Sequence, residues 1–177
     1  VAEIQRIIGS LSHKPSVLLN ASAIGYYGTD TARVFTEADI SHAQDFLAQT
    51  VHQWETAALK SAEVRTVLCR FGVVLDRKGG ALPLMALPYR LFAGGKIGTG
   101  RQWVSWVHID DAVKALEYAI EHDSIQGPVN ITSPNPVTMS VLGKSIGESL
   151  HRPHWLSIPE FTLKIALGEM STLLLDG

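Results

Sequence analysis

The chain has 177 residues, long enough for a domain with a real core, and its 46% hydrophobic and 18% charged residues are typical of folded globular proteins. A formal net charge of −2 gives no basic excess of the kind nucleic-acid modules carry, so no nucleic-acid partner is expected. One cysteine excludes an internal disulfide, and with no bilayer-spanning apolar run and no signal-peptide pattern the expected setting is cytoplasmic, away from membranes.

In chain order, Val1, Ile4, Ile8 and Leu11 recur at helical spacing, which predicts an opening amphipathic helix. After "SHKP", the run "SVLLNASAI" suits a parallel strand buried on both faces. Residues 28–42 read as a polar loop, and a second helix then carries Leu47, Val51, Trp54 and Ala58 on one stripe. The run "VRTVLCRFGVVL" is the next buried strand, with Cys69 inside it as a small buried hydrophobe, and "DRKGG" closes it. Helix, strand, helix, strand, with both strands nearly continuous in apolar residues, predicts parallel βαβ construction. A right-handed crossover sets the C-terminal ends of both strands on one edge, where open α/β sheets bind ligands.

The second half reads differently. "ALPLMALPYRLF" is interrupted by Pro83 and Pro88, which predicts a short or kinked helix. "AGGKIGTGRQW" is a Gly-rich loop and "WVSWVHI" a short strand. Trp103 and Trp106 cannot share a face of such a strand, so one belongs to a core and the other is free to wall a pocket. Asp110 or Asp111 is expected to cap a helix with Ile109, Val113, Leu116 and Ile120 on one face. "GPVNITS" is another strand, "PNPVTMS" leads into a helix ending near Leu150, and a last helix is expected over about 161–170.

No GxGxxG or GxxGxxG follows a first strand, so the loop that cradles a dinucleotide pyrophosphate is not in this chain. Neither CxxC nor HExxH occurs, and the seven histidines show no tight metal spacing, so no metal site is expected. The stretch "NASAIGYYGTD" is the candidate for chemistry. Ser22 at a strand end can bind a substrate oxygen, while Tyr26 or Tyr27 gives or takes its proton. The same residues also suit plain packing and turn formation.

Four segments, "VLLNASAIGYYG", "LCRFGVVLDRKGGAL", "GGKIGTGRQWVSWVHIDDAVKAL" and "GPVNITSPNPVT", in this order and spacing, resemble the extended short-chain dehydrogenase/reductases. The closest resemblance is to the atypical branch of nucleoside-diphosphate-sugar epimerase-like proteins. It implies the C-terminal part of a doubly wound, Rossmann-like α/β domain plus a small mixed α/β substrate-binding lobe. Residues 1–78 and 108–133 would belong to the first and 79–107 and 134–177 to the second, with the Gly-rich N-terminal half absent. It also implies Ser22, Tyr26 and Tyr27 as catalytic residues, and Arg70, Gly72 and Val73 beside the cofactor. Arg101, Trp106 and His108 would line the substrate pocket, with Asn130 bordering the same region. The implied cofactor of the intact protein is NADP(H) rather than NAD(H).

One departure stands out. The family's YxxxK is missing from the helix "DFLAQTVHQWETAALK", which holds no Tyr and has Phe46 near the expected place, so that Tyr26, Tyr27 or His52 would have to supply the proton. Two functions are therefore carried forward. The first is an NAD(P)-dependent epimerase or reductase acting on a small hydroxylated or carbonyl compound, such as a nucleotide sugar. The second is a catalytically degenerate NADP(H)-binding sensor or partner-binding protein. A chain lacking the first half of such a sheet is also expected to dimerise or aggregate through the open edge.

Overall fold

The computed structural model describes residues 1–30, 32–41, 43, 45–60 and 64–158; the helix expected over 161–170 lies outside them. The elements of the first half are α1 (Ala2–Ser10), β1 (Val17–Ala23), α2 (Phe46–Ala58), β2 (Arg65–Phe71) and β3 (Val73–Leu75). Then come α3 (Ala81–Arg90), β4 (Gly95–Ile97), β5 (Trp103–Val104), β6 (Trp106–His108) and α4 (Ile109–Glu121). The last are β7 (Gly127–Ile131), β8 (Val137–Thr138), α5 (Met139–Leu150) and β9 (Leu156–Ile158). Among the described residues no helix is long and apolar enough to cross a membrane.

Two compact units result: Val1–Gly72 with Asp110–Thr132, and Val73–Ile109 with Ser133–Gly177. In the first, apolar runs form the parallel sheet β1-β2-β7. Its middle strand is buried along its length, with Val67, Leu68 and Cys69 almost sealed. Burial pushes the Cys69 thiol up to about 11, as suits a packed rather than a reactive cysteine.

The helices of this unit bury part of the stripes that periodicity predicts, Ile8 in α1 and Val51 and Ala58 in α2, but turn several of the larger apolar residues outward. Gln5 and Ile8 are the buried residues of α1, while Ile4 and Leu11 face outward. In α2 the buried stripe is Ala48, Val51, Glu55 and Ala58, with Leu47 and Trp54 exposed. In α4 it is Ala112 and Ala119, with Val113 and Ile120 exposed. Small side chains let a helix lie close on a sheet, and the larger apolar residues then project away. Asp110 and Asp111 occupy the first turn of α4 rather than its cap, where they still meet the positive end of the helix dipole.

The second unit is built from short pairs: β3 with β6 and β4 with β9 in parallel, β5 with β8 antiparallel. The single strand expected over "WVSWVHI" breaks at Ser105 because its two ends pair with different partners. Residues 73–78, expected with the first unit, fall in the second, since β3 pairs with β6 and not with the main sheet. Leu75, Ala86, Tyr89, Val104, Met139, Leu142 and Ile146 form its core. Tyr89 reaches His154 Nδ1 at 2.8 Å, and burial raises its phenol above the ordinary value.

Candidate functional site

Parallel register sets Ser22 beside Arg70 and Arg70 beside Asn130, one residue on each strand of the main sheet. Cross-strand neighbours share a face of the pleat, so the backbone alone gathers a hydroxyl, a guanidinium and an amide near the C-terminal ends of the strands. Helix α2, capped by Asp45 accepting from the Ala48 amide, brings Glu55 to the same group.

Glu55 is the centre of the resulting network. Arg70 Nε donates to Glu55 Oε1 and Nη2 to Oε2, both at 2.8 Å, forming a two-pronged ion pair. Ser22 Oγ donates to Glu55 Oε1 at 2.6 Å. Arg70 Nη1 donates to the Tyr27 hydroxyl at 2.8 Å, and Tyr27 passes its own proton towards Asn130 Oδ1 at 2.9 Å. The Asn130 backbone N–H donates to Glu37 Oε1 at 2.8 Å, which ties the polar loop to the end of β7. Arg70 is 3% exposed, Ser22 6% and Tyr27 7%. Burial opposes the charge on Arg70, but the hydrogen bonds and attraction of Glu55 and Tyr27 outweigh it, so the guanidinium is held more firmly protonated than usual.

Aromatic rings complete the cluster. Arg70 Cζ lies 3.4 Å from the centroid of the Tyr26 ring and 5.0 Å from that of Tyr27. The Tyr26 and Tyr27 rings meet edge to face at 5.2 Å, His52 sits 4.3 Å from Tyr26, and Phe35 stacks on Tyr27 at 5.1 Å. The sequence "IGYYG" achieves this because residues Ile24–Tyr27 wind into one tight turn that Gly28 ends at φ 74°. A Cβ on Gly28 would come within 2.6 Å of the Ala43 side chain, so only glycine fits there.

Ser22, Tyr26, Tyr27 and Arg70 are thus brought together, and Arg70 points its donors at Glu55 and Tyr27. Gly72 and Val73 mark the junction of the two units: the Gly72 amide bonds Ile131 O and the Val73 amide bonds Ser105 O. Arg101, Trp106 and His108 belong to the second unit. Arg101 is exposed on the turn after β4, with its amide bonded to Thr99 Oγ1. Trp106 is half-buried against the core and donates from Nε1 to Asn135 O, while Trp103 is exposed. His108 is exposed at the end of β6. Phe46 sits in the first turn of α2, 80% exposed.

Sequence reasoning missed Glu55 and Glu37. Glu55 has a readable signal, because it falls three and four residues from Ala58 and Val51 on a buried stripe. Glu37 has none, because a loop carboxylate meeting a distant amide leaves no periodic trace.

The residues present fit the reacting end of a dinucleotide. Gly25, on the turn after β1, faces open space, since a Cβ there meets nothing within 4 Å, and a flat ring can approach the backbone. Among the described residues no Gly-rich turn joins a strand of the main sheet to a helix N-terminus, so nothing described here would cradle a pyrophosphate. Among them, too, no cluster of His, Cys, Asp or Glu could hold a metal ion.

No protein-family model matches the chain. It is 51% identical over 177 residues to the epimerase family protein YfhF of Bacillus subtilis, covering 99% of this chain and 58% of that protein. A chloroplastic homologue of epimerase family protein SDR39U1 from Arabidopsis thaliana is 45% identical over 165 residues, or 93% of this chain and 47% of its own length. Among solved structures, the human epimerase family protein SDR39U1 with NADPH superposes with a TM-score of 0.93 at 30% identity, covering 99% of this chain and 62% of the human one. A nucleoside-diphosphate sugar epimerase from Corynebacterium glutamicum gives 0.74 at 32% identity, over 93% of this chain and 36% of that one. The chain spans about half the length of the curated relatives it matches.

Proposed function

Because the chain belongs to this epimerase family, within the extended short-chain dehydrogenase/reductases, we propose that the intact protein is an NADP(H)-dependent epimerase or reductase. Its substrate class is a small hydroxylated or carbonyl compound, nucleotide sugars included. The observation that carries this reading is the cluster at the C-terminal edge of the sheet: a tyrosine ring beside a buried, permanently charged arginine. NADPH in the human relative supports the choice of cofactor.

When bound, the reduced nicotinamide supplies a hydride. Gly25 and Tyr26 after β1, and Gly72 and Val73 after β2, are the residues of this chain that would border its ring. Arg70 orients the tyrosines, and the family resemblance assigns Arg101, Trp106 and His108 of the second unit to substrate binding. Intact protein titrated with NADPH and with NADH should quench its tryptophan fluorescence at lower NADPH concentration. Absence of binding to either nucleotide overturns the proposal.

A specific observation favours the sensor as the second reading. The helix that should carry the proton donor carries Phe46 instead, and the hydroxyls of Ser22 and Tyr27 are both engaged inside the protein. Tight NADPH binding with no turnover of any small carbonyl would select it.

A further inference from the structure

The geometry points to Tyr26, not Tyr27 or Ser22, as the proton-transfer residue, with Arg70 and Glu55 as the positioning residues that stand in for the missing YxxxK. The assignment rests on the epimerase or reductase reading above and deepens it.

Elimination among the three hydroxyls comes first. Ser22 is buried and gives its proton to Glu55. Tyr27 is buried, accepts from Arg70 and donates to Asn130, so its oxygen and its proton both have partners, and Phe35 stacks on its ring. Tyr26 is only half-buried and sits on the same turn as Gly25, the point where the backbone is open to approach.

The electrostatics then favour Tyr26 as well. A guanidinium over a ring face is attracted to it, and more so as negative charge grows on the ring oxygen. Arg70 lies 3.4 Å from that ring and cannot swing away, because Glu55 grips two of its nitrogens. The charged and titratable groups around the pair are Glu55, Tyr27 and His52, with Glu37 reached through Asn130. In the forward direction the Tyr26 O–H bond breaks and its proton passes to the substrate carbonyl oxygen. The carbonyl carbon meanwhile takes the hydride of the reduced nicotinamide cofactor. The product is an alcohol, the cofactor is oxidised, and the phenolate left behind recovers a proton from water.

Two readouts test this on the intact protein. The first needs neither cofactor nor substrate: N-acetylimidazole labelling followed by peptide mass mapping. Tyr26 should be acetylated and Tyr27 protected; preferential labelling of Tyr27 overturns the assignment. The second is NADPH oxidation with 9,10-phenanthrenequinone and a set of small aldehydes and ketones. Tyr26→Phe should lower kcat by about 100-fold or more, the scale of a lost general acid, with a far smaller effect on NADPH affinity because the ring is kept. Tyr27→Phe should lower it by less than about 10-fold. Arg70→Met should lower kcat without raising KM for NADPH, and Arg70→Lys, which keeps the cation, should recover part of the loss. Equal activity in Arg70→Met and Arg70→Lys overturns the positioning role. Full activity in Tyr26→Phe overturns the catalytic one. Protein that binds NADPH but reduces nothing in the set overturns this assignment and leaves the cofactor reading standing. Protein that binds no NADPH overturns the broader reading.

Discussion

Removing the Glu55 carboxylate would leave Arg70, almost fully enclosed, with a charge that nothing compensates, and would strip the Ser22 hydroxyl of its acceptor. Breaking a buried ion pair from one side costs about 3–5 kcal/mol, whereas replacing both partners by apolar residues of similar size is often close to neutral. Glu55→Leu and Arg70→Met should therefore each be strongly destabilised in urea unfolding. The double variant should be more stable than either, by at least about 1 kcal/mol. If the two losses simply add, the pair is not the coupled unit described here. Part of this was legible. Arg70, flanked by Cys69 and Phe71 in the apolar middle of "VRTVLCRFGVVL", announces a buried cation that must have a carboxylate partner. The family resemblance directs Arg70 to the cofactor instead, and the partner lies fifteen residues upstream on α2, between Val51 and Ala58 on the buried face.

At the scale of elements, the stripes that periodicity predicts are only partly the buried ones, for one reason. Periodicity draws the eye to large apolar side chains, but α2 and α4 press alanines against the sheet and turn Trp54, Val113 and Ile120 outward. Strands were more legible than helices, because a parallel strand buried on both faces needs no choice of face. How α4 ends was not legible at all. Two of its last carbonyls are gathered by Arg65, the first residue of β2: Nη1 donates to Ala119 O at 2.8 Å and Nη2 to Ile120 O at 3.1 Å, and Nη1 also reaches Ile125 O in the following turn at 2.8 Å. Helix C-termini leave four carbonyls unsatisfied and carry partial negative charge, so one cation here both bonds and neutralises. Arg65→Ala should cost about 2 kcal/mol of stability, the scale of hydrogen bonds to a charged group. Arg65→Lys should recover less than half of that, since an ammonium lacks the planar fork. The amides of the last turn of α4 should lose hydrogen-exchange protection first. Unchanged exchange there would remove the capping role.

At the scale of the whole molecule, the chain presents apolar surface that its own described residues leave uncovered. β1 is hydrogen-bonded to β2 on one side, and the sheet order β1-β2-β7 leaves its other side as an edge. On α1, Ile4 is 51% and Ile7 48% exposed, and Val1 and Leu11 continue the same outward stripe. Two-unit α/β organisation follows from the alternation of strand and helix patterns. An open edge and an outward stripe become visible only once the register of each helix is known. Edge strands without blocking charges and contiguous apolar faces are where chains meet one another. The 177-residue chain by itself is therefore expected to self-associate, with a light-scattering mass that rises with concentration. Ile4→Lys with Ile7→Lys places two charges on exposed positions of α1, so circular dichroism should stay unchanged while association weakens. Association that persists in this double variant moves the contact to the β1 edge. A monodisperse monomer throughout a dilution series of the parent chain, its mass confirmed as these residues alone, would show that neither surface is sticky enough to join two copies.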